Sequence, residues 1–100
     1  LEEVFALQGG PKDAEEAAFI AGYFADANNY DLAIKYFNLS LELKPENLEV
    51  KAKLGLTYYL AGHKEAAKKM LEEVLKVTDF KNSPQYRAIG PILKNLGLEQ

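Results

Sequence analysis

Apolar residues recur every three or four positions along most of this chain, the spacing that places side chains on one face of an α-helix. Turn-forming residues interrupt the pattern at Asn28-Asn29, at Pro45 and at Gly62-His63. No stretch alternates apolar and polar residues over more than a few positions, so we predict no β-sheet. The pattern predicts four helices, near residues 14–27, 30–43, 48–61 and 64–77.

Residues typical of helix ends support these boundaries. Asp13 and Glu16 have the spacing of a capping box, and Asn47 stands before the third helix. Pro45 ends the second helix because it lacks an N–H donor and disfavours helical geometry at the preceding residue. Each pair of helices is therefore expected to form an antiparallel hairpin.

A fifth helix is predicted near the end of the chain. Ser83-Pro84 is a typical helix start, Gly97 is a typical stop, and Gly90-Pro91 predicts a kink. The apolar stripe of this helix consists of Ile89, Ile92, Leu93 and Leu96.

The four central helices form two blocks of 34 residues, 14–47 and 48–81, whose main positions coincide without a gap. Small residues match small ones and large apolar residues match large ones. The matched pairs are Ile20 with Leu54, Ala21 with Gly55, Phe24 with Tyr58, Ala33 with Ala67, and Phe37 with Leu71. The small pairs are expected where the two helices of a hairpin approach most closely.

These blocks resemble the tetratricopeptide repeat family, whose pattern is W-x2-L-G-x2-Y, then A-x3-F, then P, within 34 residues. The first block carries Ala17-x2-Ile20-Ala21-x2-Phe24, Ala33-x3-Phe37 and Pro45, and the second carries Lys51-x2-Leu54-Gly55-x2-Tyr58, Ala67-x3-Leu71 and Asp79. Ala17 and Lys51 replace the Trp of the pattern, and Asp79 replaces its Pro. The resemblance implies an all-α fold of antiparallel helical hairpins, stacked as a fragment of a right-handed solenoid with a C-terminal capping helix.

We expect a single domain over residues 1–100. Its predicted parts are 1–13 as a partial helix of a preceding repeat, 14–47 and 48–81 as two full repeats, and 82–100 as the capping helix. Phe19 and Tyr23 are expected to pack against Val4 and Phe5. Two full repeats are fewer than the roughly three that such arrays need, and the chain starts at Leu1, so a longer array is its expected source.

Charge and composition narrow the class of partners. The formal net charge is −3 and the chain contains a single arginine, which argues against nucleic acid as a partner. Ten acids and three lysines lie in the first fifty residues, whereas nine bases and five acids lie in the second fifty. The longest apolar run, residues 17–25, is too short to insert across a membrane, which takes about 20 residues. The absence of cysteine permits the reducing cytosol, and we expect a cytoplasmic location.

Residues for catalysis, metal binding or cofactor binding are not found in a suitable arrangement. The only histidine, His63, lies in a predicted turn without an adjacent serine or cysteine. Neighbouring acids such as Glu15-Glu16 point about 100° apart on a helix, which is poor geometry for sharing a substrate. Ser40 occupies a packing position, where we expect its hydroxyl to bond to its own helix backbone. We therefore predict no enzyme activity, no metal and no cofactor.

The resemblance implies a protein-binding scaffold, because in this family the first helices of successive repeats line a concave groove that holds a peptide or helix of another protein. Periodicity places five positions of each block on that face. These are Glu15, Ala18, Gly22, Ala25 and Asp26 in the first block, and Glu49, Ala52, Leu56, Tyr59 and Leu60 in the second. The predicted partner site comprises Asp26, Glu49, Lys53, Leu56, Tyr59, Leu60 and Arg87.

Alternatives remain open for this face and for the function. The C-terminal helix is the alternative cover for Leu56, Tyr59 and Leu60. In the branch of the family that clamps a C-terminal carboxylate, several basic and amide residues are needed, and only Arg87 fits; Lys53 and Arg87 remain available for an acidic ligand. The alternative functions are self-association through the end faces of the stack, giving a homo-oligomer, and service as a regulatory or targeting segment of a larger protein.

Overall fold

A computed structural model describes residues 13–76 and 84–98, and this part of the chain contains only helices and turns. The helices are α1 (Ala14–Asp26), α2 (Tyr30–Leu43), α3 (Leu48–Leu60), α4 (Lys64–Leu75) and α5 (Pro84–Asn95). These bounds confirm the predicted helices to within two residues. Val4, Phe5, Asp79 and Ser83 lie outside the described residues. The predicted partial helix before Asp13 lies outside them as well.

Polar side chains fix the starts of the first three helices. Asp13 accepts a hydrogen bond from the N–H of Glu16 at 2.8 Å, which is the bond expected of a capping residue. Asn29 and Asn47 cap α2 and α3 by the same three-residue spacing, at 3.4 Å and 3.2 Å. Because these bonds satisfy otherwise unpaired N–H groups locally, the helix starts could be read from the sequence.

One turn geometry ends α1, α3 and α5. Its residues of positive φ are Asn28 at 63°, Gly62 at 90° and Gly97 at 74°, spaced 34 and then 35 residues apart. In each turn the following N–H donates to a carbonyl five residues earlier at 2.8 Å, in the pairs Asn29 to Phe24, His63 to Tyr58 and Leu98 to Leu93. This bond satisfies a carbonyl that the helix end leaves unpaired, and glycine and asparagine tolerate the left-handed backbone that it requires.

The helices pack as neighbours along the chain, in two hairpins followed by α5. α1 pairs with α2, α3 pairs with α4, α2 joins the hairpins by packing on α3, and α5 packs on the other side of α3. An N-terminal cluster buries Ile20, Ala21, Phe24, Ala33, Tyr36, Phe37, Val50 and Leu54. A C-terminal cluster buries Ala52, Leu71, Val74, Ile89 and Leu93. The antiparallel hairpins predicted from the repeat are thus present.

The closest helix approach in the second hairpin occurs at Gly55. A Cβ atom at this position would lie 2.6 Å from Cδ2 of Leu71, a side chain that is fully buried. The equivalent position of the first hairpin holds Ala21, which is also fully buried, opposite Ala33. The small residues of the repeat therefore mark the places where no larger side chain fits, as predicted.

Ser40 corrects one expectation from the sequence. Its buried hydroxyl donates to the carbonyl of Ala14 at 2.8 Å, across to α1, and does not bond to its own helix. Thr57 shows the local bond instead, since its hydroxyl donates to the carbonyl of Lys53 one turn earlier at 2.7 Å. Ser40 therefore joins the end of α2 to the start of α1.

Replacing Ser40 by alanine is expected to lower the free energy of unfolding by about 1 kcal/mol, because a buried hydrogen bond between helices is lost without a new partner. Urea unfolding followed by circular dichroism measures the change. Thr57→Val serves as the matched control, because the Thr57 hydroxyl bonds within its own helix and its removal breaks no bond between helices. An equal loss in both variants would contradict the bridging role of Ser40.

Candidate functional site

The predicted partner site lies on the first helices of the two repeats, α1 and α3, and on α5, and the exposed side of these helices is here called the first-helix face. On α3 its residues follow the helical repeat as Glu49, Lys53, Leu56 and Leu60, four positions that align along one side of the helix. Leu60 is 51% exposed, which is unusual for a large apolar side chain in this protein. An exposed leucine beside charged residues offers contact to an apolar side chain of another molecule.

The C-terminal helix covers part of this face, in agreement with the alternative left open by the sequence. Leu56 is half-buried and packs against the cluster to which α5 contributes Ile89 and Leu93. Ala52, which periodicity places on the groove face, is buried at 1% exposure beneath the same helix. The prediction for Ala52 is therefore wrong, because α5 occupies the space that a partner would need.

Tyr59 lies at the border between the covered and the open part of the first-helix face. Its hydroxyl oxygen accepts a hydrogen bond from Nδ2 of Asn95 at 3.1 Å, so α5 holds the end of the ring in place. The Tyr59 side chain is half-buried, whereas Leu60 beside it is open. A ring fixed in this way loses little freedom when it contacts another molecule, which favours binding.

Charged residues share this side of α3 with Leu60, Lys53 two turns and Glu49 three turns before it. Lys53 Nζ lies 3.1 Å from Glu49 Oε1, and both side chains are about half exposed. Such a solvent-exposed pair one turn apart contributes little to stability, so either partner is available for exchange with a ligand group. Arg87 on α5 and Asp26 at the end of α1 are both exposed. Of the predicted site, Glu49, Lys53, Leu56, Tyr59 and Leu60 thus lie on α3, Arg87 lies on α5, which packs on α3, and Asp26 ends α1.

Sequence reasoning did not assign Asn95 to the site, although it contacts Tyr59 directly. A clue was present in the spacing of the glycines that end α3 and α5, which is 35 residues rather than 34. With this offset, Tyr86-x2-Ile89-Gly90-x2-Leu93 repeats the spacing of Lys51-x2-Leu54-Gly55-x2-Tyr58. The same offset places Lys94 and Asn95 at the positions that Tyr59 and Leu60 occupy on α3.

Chemistry other than binding finds little support among the described residues. His63 is exposed in its turn, and its ring meets the edge of Tyr58 with the centroids 6.2 Å apart. Across residues 13–76 and 84–98 no group of three or more histidine, cysteine or acidic side chains is arranged to hold a metal ion. Within the same ranges, no helix has the length and hydrophobicity needed to cross a bilayer.

Comparison with known proteins gives one match. A family model described as tetratricopeptide repeat matches residues 24–89, about two thirds of the chain, from the end of α1 into α5. Comparison with curated proteins and comparison with solved structures both give no match. The matched span contains most of the first-helix face, including all of its α3 residues.

Proposed function

The chain belongs to the tetratricopeptide repeat family, and from this premise we propose that it binds a peptide segment of a partner protein on its first-helix face, without catalysis of its own. Proteins of this family generally mediate protein–protein interactions. The observation that carries the proposal is the exposed Leu60 next to Tyr59, whose hydroxyl is held by Asn95.

The surroundings of Leu60 favour a particular kind of segment. Its apolar contact would come from an aliphatic or aromatic side chain, since Leu60 and the Tyr59 ring offer no charge to pair. Lys53 and Arg87 supply positive charge on α3 and α5, and Glu49 competes for Lys53 at 3.1 Å. We therefore propose a ligand with an apolar residue and, a few residues away, an acidic one whose carboxylate would replace Glu49 at Lys53 or pair with Arg87.

The experiment uses a displayed library of random peptides, selected on the wild-type protein and then measured one by one by isothermal titration calorimetry. Leu60→Asp is expected to weaken the selected peptides about tenfold or more, because truncation of a central apolar contact commonly costs more than 1 kcal/mol. Peptides with an acidic residue a few positions from an apolar one are expected to dominate the selection.

Leu43→Asp is the matched control. Leu43 ends α2 and is 50% exposed, nearly the same as Leu60, but it lies outside the first-helix face. The two variants carry the same chemical change at equal exposure, so a general effect of the new charge would appear in both. Equal affinity of wild type and Leu60→Asp, or equal losses in both variants, would place the binding site elsewhere.

A further inference from the structure

The helix α5 has the features of α1 and α3, but among the described residues no helix packs on it as α4 packs on α3. It ends in the same turn, and the 35-residue offset aligns Gly90 with Gly55. At Gly55 the side chain of Leu71 lies where a Cβ would be, at 2.6 Å. At Gly90 no atom of the described residues lies within 4 Å of that position. α5 therefore has open space at Gly90, here called the slot, at the point where α3 receives a leucine.

The opposite end of the protein carries two exposed aromatic side chains. Phe19 on α1 is 75% exposed and Tyr23, one turn later, is 48% exposed. Thr57, which occupies the position of Tyr23 in the second repeat, is buried at 3%. Tyr23 thus projects from a position whose counterpart on α3 is buried, whereas Lys53, the counterpart of Phe19, is itself about half exposed.

Electrostatics point the same way. Every charged residue of α1 is acidic, namely Glu15, Glu16 and Asp26. Both charged residues of α5 are basic, namely Arg87 and Lys94. Glu15 and Glu16 lie one turn before Phe19. Arg87 lies one turn before Gly90, and Lys94 lies one turn after it. Acidic residues thus border the aromatic side chains, and basic residues border Gly90. Oppositely charged surfaces of this kind steer and orient association.

The two surfaces cannot meet within one molecule. α1 packs on α2, whereas α5 packs on the far side of α3, and the protein is elongated, with principal dimensions of 45 × 25 × 20 Å. A second copy is the occupant that supplies both the aromatic pair and the acidic border. We propose that copies of this chain bind head to tail, with Phe19 and Tyr23 on α1 of one copy packing over Gly90 on α5 of the next.

This contact joins two different surfaces, so each added copy leaves one α1 face and one α5 face free. It uses neither Tyr59 nor Leu60 and shares only Arg87 with the proposed peptide site, so Leu60→Asp is expected to leave it unchanged. The average mass of the full chain, measured by sedimentation velocity, is expected to rise with concentration and to fall as salt is added, because the charged borders are screened.

Two single variants test the contact from its two sides. Phe19→Ala removes the projecting ring, and Gly90→Leu fills the slot; each is expected to raise the dissociation constant about tenfold or more. A mixture of the two variants is the decisive measurement. Phe19→Ala keeps an intact α5 face and Gly90→Leu keeps an intact α1 face, so the mixture is expected to form dimers of one copy each and nothing larger.

Several results would overturn the head-to-tail contact. These are a wild-type protein that stays monomeric at every concentration and salt, variants that associate as wild type does, and a mixture of folded variants that forms no dimer. Lys94→Glu provides a second test on α5 if Gly90→Leu does not fold. It is expected to weaken association, and adding Glu16→Lys to the same chain is expected to restore it, because every contact then pairs the two exchanged charges; failure of this rescue also counts against the proposal.

Discussion

Truncating Phe37 to alanine is expected to lower the free energy of unfolding by about 3–5 kcal/mol. Phe37 is 2% exposed in the N-terminal cluster, where α1, α2 and α3 meet, so its removal leaves a cavity that three helices would have to close. Small domains are stable by only about 5–15 kcal/mol, and this variant should be partly unfolded at moderate temperature. Urea titration followed by circular dichroism measures the loss.

Phe19→Ala is the matched control for this experiment. The same atoms are removed from a side chain that is 75% exposed, so the free energy of unfolding is expected to change by no more than about 0.5 kcal/mol. Dilute protein keeps association between copies from adding to the result. Similar losses for the two variants would mean that Phe19 is as deeply packed as Phe37, contrary to the structure.

The second large effect concerns the size of one residue at the helix crossing. Gly55→Ala is expected to destabilise the protein by roughly 1–2 kcal/mol although alanine favours helices. The added methyl lies 2.6 Å from Leu71, and overpacking of this kind costs about 1–3 kcal/mol, against roughly 0.5–1 kcal/mol gained in helix propensity. Thermal unfolding followed by circular dichroism compares the stability of Gly55→Ala with that of the wild-type protein.

Gly22→Ala tests the same substitution where space is available. Gly22 lies inside α1, and no described atom lies within 4 Å of the position of its Cβ. The gain in helix propensity is expected to remain, and this variant should be more stable than wild type by about 0.5–1 kcal/mol. A stabilising effect at both glycines would show that Leu71 moves aside without cost.

Features that depend on a few neighbouring residues could be predicted from the sequence. The caps at Asp13 and Asn47 and the turns at Asn28 and Gly62 act through local hydrogen bonds, and they fixed the helix boundaries closely. The hairpins followed from the 34-residue period, because it repeats small residues where helices approach. The cap and turn bonds are decided within about one helical turn of the residues concerned, whereas the hairpin contacts, such as Gly55 with Leu71, were predictable only because the pattern repeats.

Features that depend on distant neighbours could not be predicted in the same way. A serine in a helix has its own backbone within reach, and nothing near Ser40 in the sequence indicates that Ala14 lies closer. The burial of Ala52 depends on the position of α5, which is offset by one residue from the period of the two blocks. The sequence could therefore predict the residues of the first-helix face. It could not predict which of them stay exposed, because that depends on the position of α5.

The shared position of α3 has a consequence for how the protein unfolds. Of the five helices described, α3 alone contributes buried side chains to both clusters, with Val50 and Leu54 in one and Ala52 in the other. In a stack where each helix touches only its neighbours, a change in the stability of one part affects another part only through the helix between them. Cooperativity between the two ends therefore resides in α3. Fraying at either end can remain local as long as this helix is formed, whereas loss of α3 removes support from both clusters at once.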